Sequence, residues 1–305
     1  MRAAVIVAML GLSGAAVAQE GPQATQMLVA VHAKGDAPAA IDAKDLRLQL
    51  NGKPVEVETL VPARASGGIQ VALLIDEGLR LDVGRELGAL RNFVQTLPPN
   101  VEVLVGYMQS GSVVSKGGFT SDRGDGAKQV HMPMGTAGGS GSPYFCLSDF
   151  VKKWPGGDVG KARVVLMITN GVDPYNGSTR MNNQDSGYVE AAQHDAERAG
   201  VAVYSIYYGD AGYRGDSASL SGQGYLRQVA DATGGDTYYQ GTGSPVSLEP
   251  FLAQFKRALD ETYVATFMAE GKDLLRVKVA SNVKDVKVRA PEGIRAGNHE
   301  AFGSR

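Results

Sequence analysis

Four stretches of the chain are apolar at nearly every position: IQVALLID (69 to 76), VEVLVGYM (101 to 108), ARVVLMIT (162 to 169) and VAVYSIYY (201 to 208). A strand apolar on both faces predicts cover on both faces, as in a mostly parallel sheet flanked by helices. Helical spacing fills the gaps. Val83, Leu87, Leu90, Val94 and Leu97 form one stripe, with Asp82 as N-cap and Pro98-Pro99 as the stop. A second helix opens at Ser142 or Pro143 and runs to Trp154; others are expected over 187 to 199 and 222 to 232. Asp236 to Tyr239 reads as a short last strand, and Leu248, Phe251, Leu252, Phe255 and Leu259 mark a final helix ending at Thr262.

Outside this region the pattern changes to polar and apolar alternation. It covers 27 to 33, 45 to 50 and 55 to 60 before it, and 263 to 269, 274 to 280 and 286 to 290 after it. Asn51-Gly52 predicts a hairpin turn between the second and third of these strands. The expected fold class is therefore α/β: an open, mostly parallel sheet with helices on both faces, plus a small all-β unit built from the N- and C-terminal segments. The boundaries that follow are 25 to 66 for the N-terminal β segment, 69 to 262 for the α/β domain and 263 to 292 for the C-terminal β segment. In such a sheet, ligands are expected at the carboxyl ends of the strands.

The first eighteen residues read as a signal peptide: Arg2, an apolar core from Ala3 to Leu12, and Ala16-Val17-Ala18 as the cleavage site. The expected location is secreted or periplasmic. No later apolar run is long enough for a membrane span, so none is expected in the mature chain. The chain has 305 residues with 30 Lys plus Arg against 32 Asp plus Glu, a net charge of -2 that gives no reason to expect a nucleic-acid partner. A single cysteine removes any disulfide framework or cysteine-rich metal cluster from consideration.

Three segments in order resemble a von Willebrand factor type A domain: the strand ending in Asp76, the helix-opening loop near Ser142, and the strand running into Thr169-Asn170-Gly171-Val172-Asp173. The whole mature chain resembles the secreted von Willebrand factor A-related proteins of Acidobacteria, through DAKDLRLQLNGKPVEV (42 to 57), ETYVATFMA (261 to 269) and RVKVASNVKDVKVRAPEG (276 to 293). The resemblance implies an adhesion site in which Asp-x-Ser-x-Ser, a second-loop Thr and a third-loop Asp hold a divalent cation. Here the first loop reads Asp76-Glu77-Gly78-Leu79-Arg80, without either serine. Ser142, with Thr136 and Ser140 as alternatives, takes the second-loop place; Asn170 stands where Asp is usual, and Asp173 matches a further acid. Lost hydroxyls and a lost carboxylate weaken a hard-cation site, and Arg80 turned inward would pair with Asp76. The vestigial metal set is thus Asp76, Ser142, Asn170 and Asp173. No cofactor is expected, and Mg²⁺ or Ca²⁺ is the ion a residual site would take.

Other candidate chemistry is weak. Arg123-Gly124-Asp125 and Arg214-Gly215-Asp216 are read as solvated-loop triplets. Cys146, in YFCLSDF, reads as core, and the four histidines lack metal spacing. Gly138 to Ser142 lacks the Gly-Lys-Ser/Thr of a phosphate loop. Tyr204, Tyr207, Tyr208, Tyr213, Tyr238 and Tyr239 suit either a contact surface or packing, with Tyr204 and Tyr208 on one side of the sheet and Tyr207 on the other. The expected function is non-enzymatic recognition of an extracytoplasmic protein or polymer, independent of metal, through Asp76, Arg80, Ser142, Asn170, Asp173 and Tyr213. The alternatives are metal-dependent adhesion and an exported hydrolase.

Overall fold

The computed structural model describes residues 21–34, 41–79, 81–135, 141–156, 160–175, 185–209, 215–239, 241 and 244–297, with the backbone alone at 81, 82 and 215–219. The signal-peptide segment, Arg80, Thr136, Ser140, Tyr213 and Arg214 lie outside the described residues, as does any capping by the Asp82 side chain.

The chain opens with β1 (Gln23–Ala33), β2 (Leu46–Leu50), β3 (Lys53–Val55) and β4 (Val57–Pro62). β2 and β3 form the hairpin expected at Asn51-Gly52, with Leu48 opposite Val55 and both turn residues at positive φ. The expected strand over 55 to 60 is, however, two strands. The chain breaks at Glu56, and β4 leaves the hairpin for a different sheet.

Next come β5 (Ile69–Asp76), α1 (Leu87–Gln95), β6 (Val101–Gln109), β7 (Ser112–Ser115), α2 (Arg123–Lys128), α3 (Pro143–Lys152), β8 (Ala162–Thr169), α4 (Gly187–Ala199), β9 (Val201–Tyr207), α5 (Gly215–Thr233), β10 (Thr237–Tyr238) and α6 (Glu249–Asp260). One six-stranded sheet results, in the order β10-β9-β8-β5-β6-β7. All its pairs are parallel except β6 with β7. Every residue of β5 is buried, as the unbroken apolar run required. On one face Ile69, Val71, Leu73 and Ile75 pack with Leu90 and Val94 of α1, Ala127 of α2 and Phe255 of α6. On the other, Ala72 and Leu74 pack with Leu147 of α3, Val189 of α4 and Leu226 of α5.

Three local expectations change. Residues 81 to 86 form a 3-10 turn ahead of α1 rather than its first turns. β7 and α2 are elements the pattern did not show. α5 begins at Gly215, so most of the segment expected as a loop before Gly222 is helix.

The chain closes with β11 (Thr262–Ala269), β12 (Leu274–Ser281), β13 (Val286–Arg289) and β14 (Gly293–Arg295). They combine with the opening strands into two four-stranded sheets, β13-β1-β11-β4 and β14-β12-β2-β3. Each sheet mixes both ends of the chain. Met27, Val29, Leu48, Phe267 and Val277 are buried in the core these strands share. The Gly297 N–H donates to the Thr25 hydroxyl at 3.0 Å, so the segment after β14 is tied to β1. Glu292 N–H donating to Ala232 O (2.8 Å) and Arg289 pairing with Asp231 (2.7 Å) join this β unit to the end of α5. No helix among the described residues is long and apolar enough to cross a membrane.

Candidate functional site

The carboxyl ends of β5 and β8 are adjacent, and their last side chains bond to each other. The Thr169 hydroxyl donates to Asp76 Oδ2 at 2.7 Å and accepts the Gly171 N–H at 3.1 Å; Asp76 Oδ1 accepts the Gly78 N–H at 2.8 Å. The hydroxyl of Tyr144, the second residue of α3, donates to Gly171 O at 2.7 Å. Loops from β5, β8 and α3 are therefore locked by one buried network. Burial, aided by the negative charges of Asp173 and Asp76, holds the Tyr144 phenol well above its ordinary value, so it stays a neutral donor. Gly222 of α5 closes the site from the side: a Cβ there would sit 2.2 Å from Asn170 O, so only glycine permits the approach.

The sequence-identified residues fall as follows. Asp76, Ser142, Asn170 and Asp173 are all buried. Asn170 Oδ1 accepts the Val172 N–H at 2.9 Å within its own loop. Asp173 Oδ1 accepts the Tyr175 N–H at 3.1 Å, and Oδ2 accepts the Ser186 hydroxyl at 2.6 Å. Ser186 is the N-cap of α4, so Asp173 ties the third loop to that helix. Ser142 stands at the N-cap position of α3, yet its side chain makes no cap bond, and its buried hydroxyl has no partner among the described residues. Pro143 at the first helical position explains why the helix forms without that cap.

Glu77 is also consumed locally: its carboxylate accepts the N–H groups of Met134 and Gly135, the latter at 2.8 Å. The Tyr107 hydroxyl fastens the same loop, donating to His131 O at 2.8 Å and accepting the His131 N–H at 2.7 Å while the two rings stack. Burial pushes the Tyr107 phenol up to about 12. Thr169, Tyr144 and Tyr107 are positioning residues that the sequence reading missed. The one available signal was that Thr169 is the first polar side chain after an apolar run.

A hard cation needs several oxygen ligands free to converge on it. Gly78 offers no hydroxyl, and the carboxylate oxygens of Asp76, Glu77 and Asp173 already accept N–H or hydroxyl bonds from their own or neighbouring segments. Among the described residues no three His, Cys, Asp or Glu side chains are grouped to hold a metal ion. This donor set does not fit the ion site that the type A resemblance implies.

The remaining candidates are structural. Cys146 is buried, and burial pushes its thiol up to about 12; its hydrogen-bonding neighbours are the backbone at Gly111 and Gln109, not a histidine. Arg123-Gly124-Asp125 is not a loop triplet but the first turn of α2, where Arg123 donates to Pro98 O at 2.8 Å and Asp125 pairs with Lys128 at 2.8 Å. Tyr204, Tyr207, Tyr208 and Tyr238 are core, with Tyr204 and Tyr208 on one face and Tyr207 on the other. Those four provide no contact surface.

No family model matches the chain, and no curated protein does. Solved structures do. An aerotolerance-related membrane protein from Bacteroides fragilis is similar at 14% identity, covering 64% of this chain and 100% of that one, with a TM-score of 0.43. A von Willebrand factor type A protein from Catenulispora acidiphila is similar at 9% identity over 91% of this chain and 74% of that one, TM-score 0.45. The pilus adhesin SpaC from Lactobacillus rhamnosus GG is similar at 10% identity over 86% of this chain and 47% of that one, TM-score 0.44. At these values no activity or site passes from them to this chain. The strand pairings themselves establish the open α/β sheet with helices on both faces.

Proposed function

We propose that this protein is an exported, non-enzymatic recognition module that binds an extracytoplasmic protein or polymer at the carboxyl-end face of its sheet, without a metal ion. In this reading Arg80 and Tyr213 are the side chains offered to the partner, while Asp76, Ser142, Asn170 and Asp173, all buried, set the shape of the strand-end loops. The observation that carries the reading is the bonding of the acids: carboxylates satisfied by N–H and hydroxyl groups within and across the loops make a rigid surface rather than an open ion cage. Rigidity favours binding because little ordering remains to be done when the partner arrives.

The test is calorimetric titration of the purified protein with Mg²⁺, Mn²⁺ and Ca²⁺, repeated on Asp76→Ala, with affinity capture of extracytoplasmic partners in chelator. The reading expects no saturable ion binding and a partner retained in chelator but lost in Asn170→Ala. One ion per chain, abolished by Asp76→Ala, would replace it with metal-dependent adhesion.

A further inference from the structure

Away from the strand ends, the groove between α3 and α4 contains a cavity of about 590 Å³ whose wall carries Phe145, Tyr175 and Tyr188. These rings are 47%, 63% and 40% exposed, a strong contrast with the buried tyrosines of the sheet. They form a continuous row. Phe145 and Tyr188 lie 5.6 Å apart between centroids, and Tyr188 and Tyr175 5.8 Å, both pairs tilted. Three exposed aromatic rings in mutual contact leave apolar area in water that no packing demand explains.

The rest of the wall is polar, Phe145 and Tyr188 lying in the first turns of α3 and α4 and the polar side chains further along the same helices. The Ser148 hydroxyl donates to Asp195 Oδ2 at 2.6 Å, Lys152 pairs with the same oxygen at 3.2 Å, and Arg198 lies 3.6 Å from Oδ1. Asp149 pairs with Lys153 at 2.6 Å. Both acids already have a resident cation, so a cationic ligand would gain no unmatched counter-charge. A purely apolar ligand would strip water from that wall without replacing its hydrogen bonds. A molecule with one apolar face and a rim of hydroxyl groups that both donate and accept meets the rings and the wall together. A proline-rich peptide matches the rings but not the wall, because proline has no N–H to offer the carboxylates.

We propose that this groove binds a neutral glycan, with a hexopyranose ring laid against Tyr188 between Phe145 and Tyr175 and its hydroxyl groups on Asp149, Lys152 and Asp195. The cavity lies within the size range of ordinary ligand sites. None of Asp76, Ser142, Asn170 or Asp173 lines it, although Asp173 accepts the Tyr175 N–H and the Ser186 hydroxyl at its edge.

Calorimetric titration of the purified protein with cellohexaose, chitohexaose and a proline decamer tests the assignment. Saturable binding of one hexasaccharide is expected, weakened about tenfold or more by Tyr188→Ala, since one stacked ring is worth roughly a factor of ten. Tyr188→Phe keeps the ring and retains the affinity. Phe145→Ala, on the neighbouring helix, gives the same loss should Tyr188→Ala not fold. Absence of binding by both hexasaccharides at millimolar concentration, preference for the proline decamer, or hexasaccharide binding indifferent to both alanine variants overturns the assignment.

Discussion

Glu197 of α4 is buried where the α/β domain meets β14, with its carboxylate against the Gly293 backbone, and it offers a sharp test of how the two units are joined. Burial, reinforced by the negative charge of Glu292, raises its carboxyl from an ordinary 4.5 to about 7; the Gly293 N–H and the Arg198 charge pull the other way. His194 on the same helix and Arg276 and Lys278 on β12 line the same recess. The folded chain therefore holds this proton more tightly than the unfolded chain does. The associated stability is fully present below pH 4.5 and is lost as pH rises through about 7. Between those values the difference amounts to about 3 kcal/mol, at roughly 1.4 kcal/mol for each tenfold in proton affinity. Glu197→Gln keeps the shape, keeps an oxygen for the Gly293 N–H and removes the titration. In urea unfolding followed from pH 5 to pH 8, wild type should lose stability relative to the variant by up to about 3 kcal/mol, and the variant should be the more stable protein at pH 8. Identical pH slopes for the two would refute the reasoning and leave the junction insensitive to this carboxyl.

Two further outcomes follow from the site. Thr169→Val removes both the donor to Asp76 and the acceptor for Gly171, so a loss of about 2 kcal/mol in urea unfolding is expected; an unchanged midpoint would show the loops to be held by other means. With its thiol buried and pushed up to about 12, Cys146 should resist iodoacetamide at pH 8 in the folded protein and react once it is unfolded. Rapid labelling of the native chain, read by mass spectrometry, would reopen a chemical role for it.

Much of the architecture was legible because its signals are local. The runs at 69 to 76, 101 to 108, 162 to 169 and 201 to 208 are apolar on both faces, and burial in a covered parallel sheet is what that pattern requires. The hairpin at Asn51-Gly52 was legible for the same reason. The transfer of β4 to the other sheet at Glu56 was not, because alternation gives the side of a strand but not its partner. β7 and α2 span four and six residues, too short for either period to stand out. The places of Asp76 and Asn170 at strand ends could be read directly. Thr169 and Tyr144 could not, since their partners lie 93 and 27 residues away and the bonds exist only once the sheet has formed.

The tie between Thr25 and Gly297 has a mechanical consequence. A pull applied between residues 23 and 297 meets β1, held antiparallel to β11 and β13, and β14, held antiparallel to β12. The whole six-stranded sheet and its helices hang as a side loop between β4 and β11, which are themselves paired. Tension therefore passes through the β unit and bypasses the α/β domain until β4 and β11 separate. The strand-end loops and the α3–α4 groove, the two proposed binding faces, keep their shape while residues 23 and 297 are under load.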